Sequence, residues 1–131
     1  MEVLGRYQVK DIIAVKIEPG VCIQAALEKV VENEGGNALI LTAVGSIAKL
    51  AFANPKASLD KEDINISINE KEGPFELISL IGGVGPIHAH GKGNSHLHIA
   101  VSSHDGHVIG GGLRYGTEPW FPVQVQLLLH E

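Results

Sequence analysis

The sequence predicts an α+β fold in which one main helix packs on an antiparallel-rich, mixed sheet of about seven strands. Three observations carry that prediction: one stretch of three- and four-residue apolar periodicity near the start, a succession of short β-branched or alternating segments after it, and no further helices of the kind a doubly wound parallel sheet would need. At 131 residues, with 44% hydrophobic and 19% charged residues, the chain is expected to form a single domain over residues 1–131.

Lys10 to Ile17 is rich in β-branched residues and ends at Glu18-Pro19-Gly20, which predicts a strand and a turn. The period then changes. Ile23, Ala26, Leu27, Val30 and Val31 form one stripe of an amphipathic helix that stops at Gly35-Gly36, with Gln24, Glu28, Lys29 and Glu32 assigned to its other, polar face. Ala38 to Val44 reads as a buried strand, Gly45-Ser46 as a turn, and Ile47 to Ala53 as the next strand. Asn54 to Glu62 is loop-like. Ile64, Ile66 and Ile68 alternate with Asn65, Ser67 and Asn69, as in a strand with one wet face. Gly73-Pro74 is expected to break the chain before a strand from Phe75 to Ile81, and a glycine-rich link runs from Gly82 to Gly93. Ser95 to Ser103 and His107 to Leu113 form a hairpin, and Val123 to Leu129, preceded by Pro119 and Pro122, is the last strand.

Composition removes several function classes. Ten basic against fifteen acidic residues give a net charge of −5, and Arg6 and Arg114 are the only arginines, so no basic footprint for phosphate backbones is visible. Cys22 stands alone, which excludes an intrachain disulfide and a thiolate zinc cage; near a helix start it reads as a small core residue. The first twenty residues lack the pattern of a signal peptide and no run approaches a membrane helix, so a cytoplasmic location without membrane contact is expected.

The specific signal is histidine. Six of seven histidines (His88, His90, His96, His98, His104 and His107) fall between residues 88 and 107. In the strand beginning at His96, Leu97, Ile99 and Val101 point one way and His96, His98, Ala100 and Ser102 the other. Same-face neighbours stand about 6.6 Å apart at a rise of ~3.3 Å per residue, close enough for two imidazoles to lean onto one ion. The turn decides what lies opposite. A three-residue loop, His104-Asp105-Gly106, with Gly106 left-handed, pairs residues whose numbers sum to 210; a two-residue Asp105-Gly106 turn gives 211. The first register sets two apolar residues, Ile109 and Leu113, toward the core, and places Gly112 across from His98.

Gly73 to Gly82 and His96 to Leu113 resemble the plant-and-prokaryote-conserved (PPC) domain. So does the opening order of strand, Glu-Pro-Gly turn, helix, apolar strand and the Val44-Gly45-Ser46 turn. The resemblance spans roughly Lys10 to Leu129. It implies a homotrimer of α+β subunits, acting as a small-molecule, metal-binding or protein-interaction module of non-enzymatic type. It also implies a metal held by histidines matching His96 and His98 and by a third in a Gly-Gly-His-Leu stretch, which here reads Gly110-Gly111-Gly112-Leu113. With Gly112 in the third-ligand position, His90 is the expected substitute, His88 a further one, and zinc or nickel the expected ion. The family often carries a DNA-binding label. In the plant proteins that property belongs to a separate AT-hook, which this chain lacks, so DNA binding by the chain alone is not expected.

The alternative is a metal-dependent enzyme with its ion on His96, His98 and His90 and water in the open position. A cupin-like version fails on spacing: the glutamate wanted four or five residues after the second histidine is Asn94 or Ser95 after His90, and Ser102 or Ser103 after His98. Ser46 lacks a nucleophile-elbow pattern and reads as a turn residue. Gly91 to Asn94 is a weak anion-cradle signature, and Arg114 and Tyr115 are placed to line a pocket or an interface.

Overall fold

The computed structural model describes residues 1–62, 64–86 and 94–131. Its elements run β1 (Val9–Ile17), α1 (Ile23–Glu34), β2 (Asn37–Val44), β3 (Ser46–Pro55), β4 (Ile66–Val84), β5 (His96–Ser102), β6 (Val108–Leu113), β7 (Glu118–Pro119) and β8 (Val123–His130). The fold is α+β, with eight strands among the described residues rather than about seven, in the order β1-β8-β2-β4-β5-β6-β3-β7. Every pairing among the described residues is antiparallel, so the sheet has no mixed component there. β3 also pairs with β4, so β3, β4, β5 and β6 close on one another.

Helix α1 forms where the apolar stripe predicts it. Gly35, at φ 81°, closes it and donates its N–H to Val31 O at 2.8 Å, while Lys10 Nζ donates to Glu34 O at 3.0 Å. At the other end, Ile23 N donates to Thr117 O at 3.0 Å, satisfying one of the orphan N–H groups of the first turn. Thr117 is itself buried and bonds Ala51 through both N–H and carbonyl, which ties the segment before β8 to β3. Ile23, Leu27 and Val31 enter a core with Leu97, Ile99 and Val101 of β5 and Val123, Val125, Leu127 and Leu129 of β8. Cys22, expected in the core, is half-buried at the helix N-cap and makes no side-chain cap bond.

Three expectations need correction. Gly73-Pro74 does not break the chain: β4 runs through it for 19 residues, with a cis peptide bond there. The ladder to β3 jumps from Lys49↔Glu72 to Ile47↔Phe75, so the proline, which has no N–H to give, sits in a bulge. Ile64, Ile66 and Ile68 are exposed, at 78%, 49% and 57%. This half of β4 pairs with β3 only, and alternation defines two faces without saying which is covered. Finally, Gln24 and Glu28 are buried rather than on a wet helix face.

Candidate functional site

The β5-β6 hairpin has the register that sums to 210. His98 pairs with Gly112, Ala100 with Gly110 and Val101 with Ile109, and Gly106 takes φ 86° in a three-residue loop closed by Ser103 N donating to His107 O at 2.9 Å. Alternation along β5 is as the sequence predicts: Leu97, Ile99 and Val101 are buried, and His96 and His98 are exposed on the opposite face. Asp105 fastens the loop. Its carboxylate accepts from the Ser103 hydroxyl, and His107 Nδ1 lies 2.8 Å from its Oδ2. The Ser103 hydrogen bond first, and His107 after it, hold the carboxyl below its ordinary 3.8.

The His96 and His98 rings lie 5.2 Å apart, centroid to centroid, edge to face. Two imidazoles bound to one tetrahedral zinc at ~2.05 Å, with the ring centre ~1.15 Å behind the nitrogen, would stand about 5.2 Å apart. The pair therefore has the spacing of two ligands. Zinc sites with an open position take three protein ligands, and no group of three His, Cys, Asp or Glu occurs among the described residues. His88 and His90 lie outside those residues, as do Gly91 to Gly93 of the anion-cradle signature.

The three glycines of β6, of which Gly112 lies opposite His98, differ sharply in the space around them. A Cβ on Gly110 would stand 2.0 Å from Ile99 O, and one on Gly111 2.3 Å from Asn54 Oδ1, so both backbones approach their neighbours too closely for a side chain. A Cβ on Gly112 would meet Ala53 O at 3.3 Å and nothing nearer. Of the three, only the position facing His98 has room. Beside it, an open hollow of about 320 Å³ is lined by Ser79, Ile81, His98, Ala100, Val108 and Gly110, among others, and a second of about 180 Å³ touches both histidines, Ile81 and Gly82.

A second constellation escapes the sequence pattern. Glu28, 1% exposed, accepts hydrogen bonds from Tyr115 Oη, from Ser95 Oγ at 2.6 Å and from Gln24 Nε2 at 3.4 Å. Gln24 and Glu28 flank the apolar stripe at i and i+4, so they share one helix side, but the other partners of Glu28, Ser95 and Tyr115, stand 67 and 87 residues away in the chain. Arg114 and Tyr115, placed by the sequence near a pocket or an interface, do line a cavity together with Gln24, Ser95 and Leu113. Ser46, read as a turn residue, opens β3, and its Oγ accepts Phe121 N at 3.1 Å.

Comparison with known proteins agrees with this architecture. A metal-containing protein from Archaeoglobus fulgidus superimposes with a TM-score of 0.78 at 23% identity, covering 100% of this chain and 86% of that one. A plant- and prokaryote-conserved protein from Pyrococcus horikoshii gives 0.74 at 21%, covering 99% and 85%. A protein from Bacteroides thetaiotaomicron with a provisional DNA-binding description gives 0.72 at 20%, covering 94% and 83%. Curated protein sequences gave no match. At these identities the likeness is one of fold. Residues 5–130 match the sequence pattern of the Plants and Prokaryotes Conserved (PCC) domain, the domain abbreviated PPC above, and the chain belongs to that family.

Proposed function

We propose that the protein is a homotrimeric binding module of non-enzymatic type whose β5 histidine pair takes a divalent cation, zinc or nickel, with His90 as the third ligand. The observation that carries the reading is the 5.2 Å separation of the His96 and His98 rings on an exposed strand face. The A. fulgidus neighbour, described as metal-containing, adds weight. When bound, the cation would supply a Lewis-acidic point at the edge of the hollow between Ile81 and Val108, where it would fix the polar end of a ligand or of a protein partner.

Trimer formation is supported by the sheet surface. Ile66, Ile68 and Ile78 are each about half exposed or more, apolar strand surface that contact between subunits would cover. DNA binding by the chain alone is not proposed, because a net charge of −5 gives no footprint for counterion release.

Elemental analysis of protein made without an affinity tag, beside His98→Ala, tests the metal reading. Stoichiometric zinc or nickel in the wild type and its loss in the variant would support it. No metal in either would remove it.

A further inference from the structure

His96 opens β5, so whatever holds its backbone fixes where its imidazole stands relative to His98. Consecutive contacts hold it. A Cβ on Gly82 would stand 2.0 Å from His96 O, and one on Gly85 2.5 Å from Asn94 O. At these two glycines the end of β4 and the residue after it close on the start of β5 more tightly than any side chain allows. Between Asn94 and His96, the Ser95 hydroxyl accepts the Gly85 N–H at 3.2 Å.

The single proton of that hydroxyl goes to Glu28 Oε2, at 2.6 Å. Ser95 is thus donor and acceptor at once, and it joins the start of β5 to a helix carboxyl group that is 1% exposed. Glu28 is held in its turn. Tyr115 Oη donates to its Oε1 and Gln24 Nε2 to its Oε2, at 3.4 Å for the latter. The carboxyl group cannot leave Ser95 without giving up these bonds, and burial makes each lost bond costly. Tyr115 stands two residues past Leu113, the end of β6, so the same carboxyl group also ties down the strand that sets Gly112 across from His98. Helix α1 therefore reaches both strands of the histidine hairpin through one side chain.

We propose that Glu28, acting through Ser95, is a positioning residue of the histidine pair: it fixes the first residue of β5 so that the His96 ring keeps the 5.2 Å spacing to His98 that a shared cation needs. The role rests on the metal reading of that pair. Groups that orient ligands without touching the ion are known to govern affinity at metal sites, and their loss weakens binding even when every ligand is kept.

Zinc affinity of the untagged full chain, measured by competition with a chromophoric chelator, tests it, with Tm read on each metal-free variant. Ser95→Ala, which removes both hydrogen bonds, and Glu28→Met, which fills the buried position without an acceptor, should each weaken zinc binding about fivefold or more. Ser95→Thr keeps a hydroxyl and should stay within about twofold of the wild type. Val31→Ala hollows the same helix at a fully buried position but removes no hydrogen bond of the network, so it should lower Tm with zinc affinity unchanged. Wild-type zinc affinity in a folded Ser95→Ala protein, an equal loss in Ser95→Thr, or an equal loss in Val31→Ala would overturn the positioning role while leaving the metal reading in place. No zinc bound by the wild type would overturn both.

Discussion

Replacing Gly112 by histidine should add an imidazole to the metal site from the strand facing His98. Gly112 lies directly across from His98 in the β5-β6 ladder, and directly opposed residues hold their Cβ atoms about 4.5–5.5 Å apart. The new Cβ meets only Ala53 O, at 3.3 Å, so a shift of a few tenths of an ångström admits it, at a cost of roughly 1 kcal/mol. A further nitrogen ligand should tighten zinc binding at least tenfold, or about 1.4 kcal/mol. At a zinc concentration one hundred times the variant's Kd, zinc should then stabilise the variant by about 2.7 kcal/mol and the tenfold weaker wild type by about 1.4 kcal/mol. At about 4 °C per kcal/mol for a chain of this size, the variant's zinc-induced rise in Tm should exceed the wild type's by about 5 °C. Thermal unfolding of untagged, chelator-stripped protein with and without zinc measures this. Gly111→His is the matched control: its Cβ would stand 2.3 Å from Asn54 Oδ1 and 2.6 Å from Ala53 O, so it should lower Tm without any added zinc response. A folded Gly112→His protein whose zinc response equals that of the wild type would refute the reasoning about the β5-β6 face.

Other consequences can be checked with simpler variants. Gly110→Ala should destabilise by more than about 2 kcal/mol because its Cβ would stand 2.0 Å from Ile99 O, whereas Gly112→Ala should cost under about 1 kcal/mol; urea midpoints give both values, and equal effects would contradict the packing described. Leu27→Ala empties a fully buried helix position and should cost about 2–5 kcal/mol in the same assay. The Asp105 carboxyl should titrate below 3.8 by NMR. Since its folded value is the lower one, the stability it adds is present above pH 3.8 and is lost as the pH falls through the folded midpoint; Asp105→Asn should abolish that dependence.

The hairpin was the most legible part of the chain. Val101, Ile109 and Leu113 decide the register because a shift of one residue would turn the apolar set outward, and Gly106 allows the loop that the register needs. The strand through Gly73-Pro74 was not legible, because a proline that would interrupt a regular ladder is tolerated in a bulge, and the bulge depends on where β3 lies. Glu28 was hidden for a related reason. Its position on the helix reads as polar and solvated, and only the folded chain brings Ser95 and Tyr115 to it. The exposure of Ile66 and Ile68 also depends on what covers β4, which the sequence of one strand does not encode.

That covering is where the account is most exposed to test. If the apolar sheet surface is closed by copies of the chain, light scattering on the untagged protein at micromolar concentration should return three times the 13.9 kDa chain mass. A stable mass of one chain, with Ile66, Ile68 and Ile78 left in water, would contradict the trimeric module proposed here.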